Sequence, residues 1–349
     1  MAPLFQQPFM SGGFPSMNRA AAAAVGGWVE LDRATGTYTS LDITSLADKR
    51  YYMILNSGLS WSSGQNSQIR FNNDSGSNYA TRYSRDGAAD GTETSGVRTV
   101  DYVGTGTENQ IFAVNYIANY ATKEKLGIAH SVIQKTAGAT TAPSRDEIVY
   151  KWANTSNAIN QISYTSSTGH GSGSEVVVLG WDPADSHTNN FWEELASVDL
   201  SGGAADTISS GTITAKKYLW VQCFVEQTVD TVNAFTRFNS DSGSNYARRT
   251  SNDGAADATS TSATEMAMSP SGGNKFINLF IINNQSNEKL VIYHSVTDGA
   301  TAGAGTAPQR GEGVFKWANT SNQITQIDIS NDAAGDFGTN TIIKVWGAN

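Results

Sequence analysis

"EKLVIYHSV", residues 288–296, settles the local structure of this chain. Leu290, Ile292, His294 and Val296 alternate with Val291, Tyr293 and Ser295, so the period is two and the segment is a strand with one set on each face. Nearly the same string stands at residues 124–132, "EKLGIAHSV", and puts Leu126, Ile128, His130 and Val132 on one face. Both histidines are thus in phase with Leu, Ile and Val. That favours buried histidines hydrogen-bonded to backbone over catalytic groups.

Other strings recur at nearly the same distance. "KWANTSN" occupies residues 151–157 and again 316–322, and "RFNNDSGSNYATRYSRDGAAD" at 70–90 returns as "RFNSDSGSNYARRTSNDGAAD" at 237–257. Lys49-Arg50-Tyr51 answers Lys216-Lys217-Tyr218, and Trp28 answers Trp192. A chain of 349 residues exceeds the span one core usually serves, about 100–200 residues. It therefore divides into an N-terminal docking arm, 1–26, and two homologous domains, 27–185 and 186–349. "WDPADSHTNN", Trp181 to Asn190, reads as their linker because Pro183 and its polar neighbours break regular structure.

Within each repeat, "IFAVNYIA" from Ile111 and "KFINLFII" from Lys275 are apolar on both faces, as for a central strand held between a core and a second layer. Tyr150 shares a face with Trp152, and Phe315 with Trp317, which places both tryptophans in the core rather than against sugar rings. The "NTSN" turn that follows, leading to Ile159 and Ile162 or to Ile324 and Ile327, predicts a hairpin. Roughly seven to nine short strands per repeat suit a β-sandwich. The long connections 59–69 and 91–109 favour a jelly-roll-like version. The fold class is thus all-β: two tandem β-sandwich domains behind an extended arm, with a short helical turn only at "NRAAAAAV", residues 18–25.

Composition narrows the function classes. The net charge is −9, and the arginines and lysines are scattered, which argues against a nucleic-acid surface. No run approaches the roughly 20 apolar residues of a membrane helix. Cys223 stands alone, so no internal disulfide can form. The opening residues lack a basic segment followed by an apolar one, which predicts a protein without a secretion signal, made in a cytoplasm. No metal-spaced histidine cluster, nucleophile elbow or phosphate loop occurs, and His170 and His187 have no counterpart in the other repeat. Asn154 and Asn319 sit in N-x-S contexts but read as turn residues.

The twice-kept polar string admits several roles. The simplest is an ordered loop pinned by an Arg70–aspartate pair, in which Asp74 and Asn78 bond local backbone and Gly76 takes a positive φ. A calcium ion on Asp74, Asn78, Asp86 and Asp90, or on Asp241, Asn245, Asp253 and Asp257, is a weaker alternative, because the ligand spacing is not that of an EF-hand. Tyr79 and Arg82, with Tyr246 and Arg249, could instead form contact loops for a protein or a glycan, since tyrosine and arginine anchor interfaces. Hydrolysis of a glycoside by Asp74 and Asp86 fits least well, because a Gly-Ser-Asn turn is not the concave site such a pair needs. In the arm, Leu4, Phe5, Phe9, Met10 and Phe14 are too apolar for a solvated tail and too interrupted for a helix, and predict an assembly contact.

Together "RFNxDSGSNYAxR", "KWANTSNQITQIDI" and "VVVLGWD" resemble strings in structural proteins of tailed bacteriophages, particularly those of aquatic bacteria. The resemblance covers both repeats and leaves the arm unassigned. It implies a virion component: a head decoration, fibre or tail-associated protein that binds copies of itself, as a suspected trimer, and other virion proteins such as the major capsid protein. It supplies no catalytic residue. A module recognising host glycans is the alternative function, and a glycoside hydrolase the third.

Overall fold

The computed structural model describes residues 27–59, 67–94, 97–100, 110–185, 189–228, 233–268, 272–299, 303–332 and 335–349. The arm, with Leu4, Phe5, Phe9, Met10 and Phe14, lies outside these residues, as does the expected helical turn at 18–25. All regular structure described is β: ten strands from Val29 to Trp181 and twelve from Glu193 to Ala348. Among the described residues, strands of the first half pair with one another, and so do those of the second.

The first half closes its two layers with long, bent strands. Ile162–Trp181 pairs through its early residues with Ser67–Phe71 and through its late ones with Tyr51–Leu59. Gly169 and Gly173, at φ 86° and 87°, let this strand turn from one layer to the other. In the second half the same path is cut into Ile327–Ser330 and Ile342–Ala348, which belong to separate sheets of four and eight strands.

Two expectations about connections change. Ser144–Trp152 pairs with Lys125–Ile133 and Tyr79–Arg85, not with Ile162–Trp181, so the "NTSN" turn is a crossover between layers and not a hairpin. In the second half Lys275–Ile282, Lys289–Thr297 and Gln309–Trp317 follow one another as neighbours in one sheet. This is a meander, which a simple jelly roll would not place within a single layer.

Alternation along each central strand feeds two different apolar layers. Tyr52 and Ile54 enter the sandwich core of the first half, while Met53 and Leu55 point the other way. Val176 and Val178 alternate in the same manner with Val177 and Leu179. The outward set packs face to face on Tyr218, Phe280, Ile282, Leu290 and Ile292 of the second half. Three apolar layers are therefore stacked: one core, the contact between the halves, and the other core. The doubly apolar strand Gln110–Ala118 has its expected second layer, supplied by the other half of the chain.

Candidate functional site

The recurring strings clasp each other in the same way in both halves. Trp152 Nε1 donates to Asp74 Oδ2 at 2.8 Å, and Trp317 Nε1 to Asp241 Oδ2 at 2.7 Å. Asp74 also accepts from Asn78 Nδ2 and from the Gly76 N–H. Burial opposes the charge on Asp74, but these donors, Trp152 foremost, hold its carboxyl below the usual carboxylate range; Asp241 behaves alike. Lys125 Nζ donates to Asn154 O and lies 5.2 Å from the Trp152 ring, matched by Lys289 with Asn319 O and the Trp317 ring at 5.8 Å. Asn154 Oδ1 then caps the N–H groups of Ser156 and Asn157, which makes it the expected turn residue.

This clasp corrects three expectations. Tyr79 and Tyr246 are 3% and 0% exposed, so neither can be a surface contact. Each hydroxyl instead joins the two ends of its own loop, accepting from the Phe71 or Phe238 N–H and donating to Asp74 O or Asp241 O. Positive φ falls at Asn72, Asn73 and Asp86, not at Gly76. A Cβ added at Gly76 would stand 2.9 Å from Asn78 Nδ2, so the amide that donates to Asp74 would have to shift. The histidine-bearing face, finally, is not the sandwich core. Ala129 and Tyr150 enter that core, while Leu126 and Ile128 point away from it.

The eight oxygen ligands considered for calcium serve separate places. Asp74 and Asn78 are tied to each other, as are Asp241 and Asn245. Asp86 accepts from the Arg145 N–H and Ser144 Oγ, and Asp253 from the Arg310 N–H. Asp257 binds Arg145, and Asp90 binds Arg82. Among the described residues no three His, Cys, Asp or Glu side chains gather as a metal site.

Several of these residues hold the two halves together. Arg145, of the first half, makes a two-pronged contact with Asp257 of the second: Nη2 to Oδ1 at 2.8 Å and Nε to Oδ2 at 3.0 Å. Arg249 reaches back to Asp86 at 3.1 Å and to Pro143 O at 2.9 Å. Lys316 Nζ donates to Gln134 O and Thr136 O, and Glu288 accepts from the Gly138 N–H. Beside this network His130 and His294 meet ring to ring, and burial lowers their pKa values to about 4 and about 3. His170 is buried in the first half, and His187 lies outside the described residues.

The main concavity lies on the outer sheet face of the first half. It is a groove of about 920 Å³ whose floor includes Tyr116, Leu126, Ile128 and Val149. Trp28, Tyr51 and Trp181 form an aromatic end, with Tyr51 stacked on Trp181 at 5.3 Å. Arg82, Glu93 and Lys151 stand among its polar lining residues. The Lys151–Glu124 and Arg82–Asp90 ion pairs are solvent-exposed. Sequence alternation put Leu126 and Ile128 on one face but could not show that, among the described residues, this end of the face stays exposed.

No family model matches the chain, and no curated protein is similar to it.

Proposed function

We propose that this chain is a structural protein of a bacteriophage particle, working through contacts with copies of itself and with shell or tail proteins rather than through catalysis. The observation that carries this reading is the amount of apolar sheet face left open: Leu126, Ile128, Val149, Phe276 and Val296 are 41–58% exposed although each lies within a strand. Contiguous apolar patches of this kind mark interaction surfaces. The resemblance of the recurring strings to those of phage structural proteins suggests the particle context, and the apolar sequence of the arm, residues 1–26, suits a tether. A trimer would present six similar sandwiches, a match for sixfold surroundings.

The test compares the full-length chain with one beginning at Gly27 by mass and electron microscopy. Regular assemblies of the first that are lost or weakened in the second support both the structural role and the tether. Compact monomers from both chains, with no binding to phage particles, overturn it. A second function, glycan recognition, is favoured by the aromatic end of the groove, where Trp28, Tyr51 and Trp181 offer ring faces to a sugar. Glycan-array binding lost on Tyr51→Ala would support that alternative.

A further inference from the structure

The two halves use the same sheet face in opposite ways. Leu126, Ile128 and Val149 are 58%, 48% and 49% exposed, yet their counterparts Leu290, Ile292 and Val314 are 0%, 3% and 2% exposed. At the other end of the face the order reverses. Phe112 and Val132 are 1% and 0% exposed, whereas Phe276 and Val296 are 44% and 41% exposed. The correspondence follows from the recurring strings and from register, since Ala118 pairs with Tyr51 as Ile282 pairs with Tyr218.

One end of the face in the first half thus covers the other end in the second, and each half keeps the complementary end open. An isologous contact would bury the same residues in both halves. A contact that buries unlike ends is heterologous, and it leaves one free copy of each.

The charged rim shows the same division. Arg145 and Asp257, joined between the halves, have side chains 6% and 3% exposed, while their counterparts Arg310 and Asp90 are 60% and 51% exposed. Arg249, which binds Asp86, is 17% exposed, and its counterpart Arg82 is 59% exposed. Arg82 therefore lines the open groove with Asp90 paired to it, and the open end of the second half carries Asp253 and Arg310. These are the partners that the existing contact would call for in a second one.

We propose that the groove of the first half receives the open face of the second half of another copy of this chain, repeating between molecules the contact made within each. Leu126, Ile128 and Val149 of one copy cover Phe276 and Val296 of the next, and Asp90 pairs with Arg310 as Asp257 pairs with Arg145. The inference deepens the assembly function proposed above and rests on it. Because the contact is heterologous, it runs from copy to copy in one direction.

The test uses two full-length variants, Leu126→Asp/Ile128→Asp and Phe276→Asp/Val296→Asp, each checked for folding by circular dichroism and sized by sedimentation. Each alone is expected to lose association, and an equimolar mixture to give a one-to-one complex, because each supplies the face the other lacks. As a milder probe, Asp90→Arg or Arg310→Asp alone weakens association about tenfold, and a chain carrying both recovers it. Wild-type assembly that survives in both face variants overturns this contact while leaving the structural role standing, with the arm as the remaining source. A mixture that stays monomeric while the wild type assembles also overturns it, as does a groove variant whose sole defect is lost glycan binding. A wild type that neither self-associates nor binds particles removes the contact and the function together.

Discussion

His130 and His294, equivalent residues of the two halves, stand with ring centroids 4.3 Å apart and planes inclined by 43°. Arg145 and Glu312 flank them, and a second carboxylate, Glu147, lies beside Arg145. The pair belongs to the contact that joins the two sandwiches. Protonating either ring would put a cation next to a second imidazole and Arg145.

Stability is therefore expected to fall on acidification. Both folded-state pKa values, about 4 and about 3, lie below the ordinary 6.5, so the unfolded chain takes up protons first. The contribution is complete above pH 6.5 and is lost as pH falls through the window to about 4 for His130 and about 3 for His294, with upper bounds of roughly 3 and roughly 5 kcal/mol. Glu312 opposes the trend: burial raises its carboxyl pKa, so its term favours folding at lower pH. Urea midpoints measured against pH should decline more gently for His130→Phe/His294→Phe, and more steeply for Glu312→Gln.

Asp257→Ala should separate the halves. It leaves the Arg145 guanidinium, 6% exposed, without its two-pronged partner, at a cost of roughly 3 kcal/mol. Calorimetry is expected to resolve two transitions in place of one, while Asp90→Ala, at the exposed equivalent, leaves the halves unfolding in a single transition.

Trp152→Phe and Trp317→Phe keep an aromatic ring in each core but remove the donor to Asp74 or Asp241. Hydrogen bonds to charged groups contribute about 1.5–3 kcal/mol, so each variant should lose about 2 kcal/mol in denaturant unfolding. Their effects should add, because the two clasps share no residue.

Gly127 shows how equivalent positions fill the same core differently. An added Cβ there would stand 2.1 Å from Tyr150 Cζ, whereas the second half has Val291 at this place and stacks Tyr293 on Phe315 at 4.6 Å. Gly313 in turn provides the space for Tyr293, because a Cβ added at Gly313 would stand 2.6 Å from Tyr293 Cε1. Copying one half into the other by Gly127→Val should therefore destabilise by about 3 kcal/mol, seen as a lower Tm.

Much of the architecture was legible along the chain because strands announce themselves by a two-residue period. The alternation in "EKLVIYHSV" fixed which residues share a face, and the double apolar character of "KFINLFII" required a cover on each side. The recurring Lys-Trp-Ala-Asn and Asp-Ser-Gly-Ser-Asn strings pointed to an ordered turn, and the structure supplies the reason they travel together: the Trp indole binds the Asp of the other string. Tyr79 was misleading because a tyrosine in a polar string looks exposed, while its hydroxyl is needed inside to tie the loop ends.

Only the tertiary structure decided which of two apolar faces is core and which is contact, and in which half that contact is filled. Leu126 and Leu290 sit in nearly identical strings, yet one is open and the other sealed. Local sequence determines periodicity, turn chemistry and the residues that share a face, because these depend on backbone geometry and near neighbours. Cover depends on where a second sheet docks, and here the docking of two similar halves leaves an unlike end of each uncovered.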